Sequence, residues 1–321
     1  MSKSALFAAA GFYGRLPLAP LVFGHSLTVC TWFKNGHQDR WLLNFWVTLF
    51  AAFGGGMVSA LLVQEPSKAS NSLFTKNAVG VYYALAWWAV NYCPGDLVSR
   101  LYSLLPIRMA GRGCLAILRA GLIVHRVNAT AALFPGVVAA PLVIGTIAGC
   151  GGKVIVDAID VACQTKKGPT ELAQPGFALW SGLLAALANY LLVHVGQLLS
   201  EAEGLALVTT VLLAHALAAE ATGLPLDFTE PFVRAFHLVT GIPQPGVVRS
   251  IKERAARKPT LSNPATPAPS ATKQPVAKVL DDDSNKAPRD VPLNPAKAAA
   301  AITPGRVTRR RQAALAAAGS D

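Results

Sequence analysis

Apolar runs of roughly bilayer-crossing length alternate with short polar segments along most of the chain. Seven such runs cover residues 16–33, 41–63, 77–93, 101–124, 131–152, 176–199 and 205–223. A hydrocarbon core of about 30 Å is crossed by roughly 20 apolar residues in a helix. Within lipid the backbone must satisfy itself, which leaves only helices or closed barrels. These runs are too long for barrel strands. The pattern therefore predicts an all-α polytopic membrane protein with seven transmembrane helices.

Composition agrees. Of the 321 residues 52% are hydrophobic and 14% charged, and the mean hydropathy is +0.40. Soluble domains carry about 25% charged residues. The net charge of +12 belongs mostly to the C-terminal part, since Gly246–Asp321 holds 14 Lys and Arg against 6 Asp and Glu. That segment is rich in Pro, Ala, Ser and Lys and poor in large apolar side chains, so it buries too little surface to offset chain entropy. Residues 1–245 are thus expected to form the membrane domain, and 246–321 a disordered basic cytosolic tail. The five cysteines include no CxxC pair and mostly fall in apolar runs, which suits buried free thiols. The first residues, MSKSALFAAAGF, faintly resemble a signal peptide, but Gly11 and Arg15 interrupt the pattern. A retained segment leading into the first span fits better.

Loop charges set the orientation. Lys34 and Arg40, Arg100, and Lys166 with Lys167 fall in odd-numbered loops, whereas the sixth loop offers only Glu201 and Glu203. Lys68 and Lys76 in the second loop weaken the contrast. The best fit places the C-terminus in the cytosol and the N-terminus in a lumen. The sequon at Asn128 would then face the lumen, too close to the membrane to be modified.

The second run contains Gly54, Gly55 and Gly56, and each glycine costs a helix interior roughly 1 kcal/mol against alanine. The fifth run repeats the feature with Gly149, Gly151 and Gly152. Glycine-interrupted segments at matching positions of two halves point to internal repeats with a site between them. With three spans per repeat, the second copy must enter from the opposite side, giving two inverted three-helix repeats plus a seventh helix. The alternative is close helix packing, which small residues also allow. Both readings stand at this level.

The fourth run carries Arg108, Arg112, Arg119 and Arg126. At about 100° per residue their spacing returns to within roughly 40°, so all four share one stripe. Cations deep in a span face a bundle interior, an aqueous cavity or reachable lipid phosphate. Arg108 and Arg126 read as interfacial anchors at the two ends, and Arg112 and Arg119 as lipid-phosphate or gating residues. Lys153 and Asp157, four apart, share a helix face and form a candidate ion pair. His25 and His125 read as structural. No nucleophile elbow, HExxH, P-loop or paired carboxylates occur, so an enzyme is disfavoured. No metal ion, other cofactor or nucleic acid is expected.

From about Asn44 to Val193 the chain resembles the trimeric intracellular cation channel family, the TRIC channels. The resemblance is carried by FGGGMVSALLVQEP followed by LFTKN, by LAWWAVNYCPGDL followed by YSLLPIR, and by Gly145, Gly149 and Gly151 in the fifth run. It implies inverted three-helix repeats and a homotrimer with a pore inside each subunit, beside glycine bends of the second and fifth helices. It also implies permeation by monovalent cations, chiefly K⁺ and secondarily Na⁺, across endoplasmic or sarcoplasmic reticulum, as counter-ion current during Ca²⁺ release and uptake. The family's Lys-Glu-Val-x-Arg motif binds phosphoinositide headgroups. Here that stretch reads Leu115-Ala-Ile-Leu-Arg119, so Leu115 and Ala116 replace the Lys and Glu while Arg119 is kept. Ala148 stands where a basic residue is usual, and Arg112 and Lys153 are candidate substitutes.

Two other classes fit the residues. One is a secondary transporter for an anionic solute, with the arginine stripe as anchor. The other is a scaffold whose basic tail docks on anionic lipid or acidic partners. Arg309, Arg310 and Arg311 read as a solvated basic cluster or as a reticulum-retention signal.

Overall fold

Backbone N–H and C=O groups have no partner in lipid, so the apolar runs close their hydrogen bonds internally as helices. The computed structural model describes residues 3–34, 40–63, 76–164, 170–224 and 226–242, which form helices and connections and include no strand. The helices are α1 (Lys3–Gly14), α2 (Leu18–Phe33), α3 (Trp41–Val63), α4 (Asn77–Tyr92), α5 (Leu97–Tyr102), α6 (Leu105–Leu133), α7 (Ala139–Ala162), α8 (Phe177–Asn189), α9 (Glu201–Thr222) and α10 (Glu230–Thr240). A 3₁₀ turn, Pro94–Asp96, precedes α5, and a π-helical turn, Tyr190–Val195, extends α8.

The ends follow local chemistry. Pro106 occupies the first turn of α6, where its missing N–H costs nothing. Ser200 and Glu203 form a reciprocal capping box at the start of α9. Gly223, at φ +66°, ends α9 in the left-handed conformation that glycine adopts without penalty. Between α4 and α5, Lys34 from the end of α2 donates to Asp96 at 2.8 Å and to Ser99 at 2.6 Å. That bond and the lysine's charge hold the Asp96 carboxyl below its ordinary range. The tie is therefore present above the ordinary carboxylate pKa and is lost as pH falls through the lowered value.

Among the described residues, four helices are long and apolar enough to cross a membrane: α3, α7, α8 with its π turn, and α9. A fifth candidate is the pair α1 and α2, bent by 85° at the break between them. α6 is longer than any of these at 29 residues but carries four arginines. α6 packs against α2, α7, α8 and α9, while α3 packs on α7, α2 on α4, and α1 on α9. The core between α6, α8 and α9 is built on Ala120, Ile123 and Val127 with Ala186, Tyr190 and Leu212. Thr48 and Asn44 of α3 bond Tyr83 (2.7 Å) and Trp87 (2.8 Å) of α4, joining those helices by polar contacts within the apolar layer.

Three expectations are corrected. The fourth span does not end at 124, nor does the fifth begin at 131. α6 runs to Leu133 and α7 starts at Ala139. Arg126 and Thr130, which lower the hydropathy there, are fully buried within α6, and the break comes at Pro135-Gly136 instead. For the same reason Arg126 is no interfacial anchor, because helix continues for seven residues beyond it. Finally, the glycines do not interrupt their helices: α3 is unbroken from Trp41 to Val63 and α7 from Ala139 to Ala162. The expected tail over 246–321, Arg309 to Arg311, Lys68, Lys166 and Lys167 lie outside the described residues.

α2 runs antiparallel to α6, and α3 runs antiparallel to α7. In α2 and α6, Gly24 meets Cys114 and Thr28 meets Gly111. In α3 and α7, Gly55 meets Ala148 and Ala51 meets Gly152. A Cβ at Gly55 would stand 2.4 Å from the Ala148 carbonyl oxygen, whereas one at Gly80 meets nothing within 4 Å. Gly55→Ala is expected to lose about 1–3 kcal/mol by overpacking, and Gly80→Ala to be neutral or to gain up to about 1 kcal/mol of helix propensity. Thermal unfolding of the purified protein checks this. Equal melting of Gly55→Ala and wild type would show that the helices are not in backbone contact.

Candidate functional site

The two glycine clusters face each other. Gly151 approaches the Gly55 Cα, so that an added Cβ would lie 2.9 Å away, and a Cβ on Gly152 would stand 2.6 Å from the Ala51 carbonyl oxygen. A Cβ on Gly54 would lie 3.2 Å from the Gly152 Cα. α3 and α7 therefore cross backbone on backbone. Gly149 turns the other way, toward Ile123 of α6 and Gly182 of α8. Gly56 differs, since a Cβ there would make ordinary contact with Leu122 at 3.5 Å. The crossing needs Gly54, Gly55, Gly151 and Gly152 for sterics; Gly56 only borders it.

A cavity of about 610 Å³ opens beside this crossing, walled by α2, α3, α6 and α7 and reached by side chains of α1, α8 and α9. Gly55, Gly56, Gly149 and Gly152 contribute to its wall, as do Arg112, Arg119 and Lys153. His25 also lines it. Its Nε2 lies 3.0 Å from the Ala52 carbonyl oxygen, two residues before the glycine triplet. A second cavity of about 510 Å³ lies between α6 and α9 and shares Arg112, Leu115, Arg119 and Phe177 with the first.

Each cation on this wall has partners inside the protein. Arg119 donates from Nε to the Gly149 carbonyl at 2.9 Å, and from Nη2 to the Ala178 carbonyl at 2.6 Å and to Ser181 Oγ at 2.9 Å. One guanidinium thus joins α6 to α7 and α8. Its fixed fork suits several oxygens at set angles. Arg112 Nε donates to Glu220 Oε2 at 3.2 Å, and its guanidinium carbon sits 4.4 Å from the centre of the Trp32 ring, within cation–π range. Arg108 pairs with the other oxygen of Glu220 at 2.6 Å. Lys153 donates to Asp157 at 2.5 Å, and the second Asp157 oxygen accepts the Glu171 backbone N–H at 2.6 Å. Glu171 in turn accepts the N–H groups of Gly176 and Leu179, both at 3.0 Å, which caps the first turn of α8.

Sequence reasoning missed Glu220, Glu171, Ser181 and Trp32. Glu220 was findable: it is a carboxylate in an apolar run, and the rule applied to the arginines of α6 holds equally for an acid in α9. Glu171 lies in a connection, and its capping role depends on tertiary placement that no local pattern encodes. Asp157 serves Lys153 and the Glu171 backbone; the carboxylate for Arg108 and Arg112 is Glu220.

The family model for TRIC channels matches residues 37–219, more than half of the chain and the whole of the glycine crossing. The chain belongs to the TRIC channel family. Trimeric intracellular cation channel type B from Homo sapiens is 31% identical over 117 residues, 36% of this chain and 39% of that protein. Its Bos taurus counterpart is 29% identical over the same length and shares. The chain thus aligns with well under half the length of these relatives. The solved structure described as the structural basis for activity of TRIC counter-ion channels in calcium release is similar with a TM-score of 0.59 at 19% identity. That likeness covers 67% of this chain and 98% of the other. A trimeric intracellular cation channel from C. elegans, solved without Ca²⁺, gives 0.59 at 20% identity, over 70% of this chain and 99% of its own. These likenesses establish the fold. TRIC family members are channels, not enzymes.

Glu220 is the shared partner of two arginines, and hydrogen bonds to charged groups contribute about 1.5–3 kcal/mol. Glu220→Ala should lower the thermal stability of the purified protein by that order. In its background Arg108→Ala should cost less than in wild type. A double-mutant cycle reads the coupling, and additive losses would dissolve the proposed tie between α6 and α9.

Proposed function

We propose that the chain is a K⁺-permeable channel of an endoplasmic or sarcoplasmic reticulum membrane, assembled as a homotrimer with a pore inside each subunit. The observation that carries this reading is the cavity of about 610 Å³ beside the glycine crossing of α3 and α7. Membership in a family of channels favours it over the transporter and scaffold readings. The antiparallel pairing of α2 with α6 and of α3 with α7 supports two inverted three-helix repeats. In that arrangement the crossing of the second and fifth spans lies where the halves meet, as transporter-like repeat folds place their sites. The relatives' names supply the trimer and the intracellular membrane. Permeation of K⁺ and of Na⁺, and a counter-ion role during Ca²⁺ release and uptake, follow from the same kinship.

A cation path lined by basic residues needs its positive charge tied elsewhere. Lys153 is paired with Asp157, and Glu220 shares its one negative charge between Arg108 and Arg112. Arg119 spends its donors on carbonyl oxygens of Gly149 and Ala178. Those are the oxygen type that replaces an ion's hydration shell in selective filters. Arg119 therefore acts as a gating residue, because its displacement would free the carbonyls at the cavity wall. A lipid phosphate drawing the guanidinium away is one means, and the transmembrane field acting on the arginine stripe is another. For lipid, the second cavity supplies a cationic rim of Arg108, Arg112 and Arg119 around Leu115 and Ala116. Arg112, one turn before Leu115, takes the place of the family's missing lysine. Phosphoinositide is the ligand this rim fits; no other cofactor is proposed.

Planar-bilayer recording of the purified full chain tests the reading. Unitary K⁺ currents with a cation-selective reversal potential are expected, and solute-coupled flux without unitary currents would replace the channel with a transporter. Arg119→Ala should change open probability at least several-fold and abolish any response to added phosphoinositide. An Arg119→Ala channel with wild-type gating and lipid response would remove that residue from the mechanism.

A further inference from the structure

α10 has no counterpart among the apolar runs of the sequence, and none of its side chains is buried. At about 100° per residue, Leu238, Pro231, Ala235, Val239, Phe232 and Phe236 fall within one arc of roughly 160° that contains no polar residue. Leu238 and Val239 are each 85% exposed and Phe232 is 54% exposed. The polar residues Glu230, Arg234, His237 and Thr240, with Val233 among them, occupy the rest of the circumference. Glu230 and Arg234 pair with each other along it. An apolar arc of this width is not left in water.

Two observations say what covers it. The first is position. α10 begins eight residues after α9 ends, and Phe236 packs edge-on against Trp180 with ring centroids 5.1 Å apart. Trp180 stands in the first turn of α8, a spanning helix, and tryptophan at the end of a span marks headgroup depth. Phe228 of the connection packs on Phe177 and His215, which ties the start of α8 to the C-terminal half of α9. The second is charge. The ten residues 249–258 contain Arg249, Lys252, Arg254, Arg257 and Lys258 against Glu253 alone. A juxtamembrane basic cluster is drawn to anionic lipid by about 1 kcal/mol per charge near the surface.

We propose that α10 is an interfacial helix that lays its Phe232–Val239 face into an anionic lipid leaflet, with the basic residues after it as the electrostatic partner. Helices of this kind bind by apolar burial plus attraction to acidic headgroups. The inference rests on the membrane-spanning reading of α8 and α9 but not on ion conduction, so its test leaves the channel proposal untouched. It places a lipid-sensitive element eight residues beyond the helix that carries Glu220.

Hydrogen exchange of residues 230–242 in the full chain, read by mass spectrometry, tests it. The probes are nanodiscs of phosphatidylcholine alone and of phosphatidylcholine with phosphatidylserine. Exchange is expected to slow at least tenfold more in the anionic discs. Val239→Glu, at a position with no packing role, should abolish the difference. Changing Arg249, Lys252, Arg254, Arg257 and Lys258 to glutamine should reduce it severalfold. Equal protection in both discs would overturn the proposal and mark the face as a contact with neutral lipid or a neighbouring subunit. Absence of protection in both would overturn it as well.

Discussion

Everything near the cavity depends on two backbones touching. Where α3 meets α7, Gly55 lies against Ala148 and Gly152 against Ala51 with no room for a Cβ between them. Helices normally pack 8–10 Å apart, a spacing set by the side chains at the contact. Removing those side chains lets the axes close, and in lipid such close packing is a main source of association because burial from water no longer drives it. The four glycines that this crossing requires therefore do not weaken the bundle as they would weaken an isolated helix. Their propensity cost, about 1 kcal/mol each, is set against contact made over the whole crossing.

Close approach has a second consequence. Small residues leave space beside the seam as well as across it, and the cavity occupies that space. Long side chains from α6 then span it, which explains why Arg119 reaches both Gly149 on α7 and Ala178 on α8. A bulky residue at position 149 would fill the place where Ile123 now packs and would shift the carbonyl that Arg119 grips. Glycine spacing and arginine placement meet at Gly149, whose carbonyl Arg119 holds.

The fold was largely legible because its strongest signal, hydropathy, is also its strongest physical constraint. The seven apolar runs correspond to α2, α3, α4, α6, α7, α8 and α9. What hydropathy misread were places where polarity is buried, not exposed. Arg126 and Thr130 looked like a loop and are interior turns of α6. The amphipathic α10 escaped notice because its 11 residues are too few for a span. At the site, the glycines and Arg119 were visible as anomalies in apolar sequence. Their geometry was not, because a glycine triplet reads equally as a break or as a seam. Only the partner helix distinguishes the two, and the partner is nearly a hundred residues away. The same distance concealed the link between Arg108 and Glu220.

Cations gathered on one cavity wall within a bundle look contradictory only if each is counted as a free charge. A charged side chain at mid-span costs about 2.5–3.5 kcal/mol on insertion scales, so each is retained only with partners that offset the cost. Glu220 holds Arg108 and Arg112 toward α9, while Asp157 holds Lys153 along α7. The Glu220 bonds run between α6 and α9, and the Asp157 bond runs along α7. Arg119 differs from the others because its partners are neutral carbonyls and a hydroxyl, so its charge is bonded but not cancelled. Of the basic residues facing the cavity it is thus the one whose position changes both the local field and the supply of oxygen ligands. Moving Arg119 breaks bonds to neutral oxygens, whereas moving Arg112 or Lys153 would first require separating an ion pair.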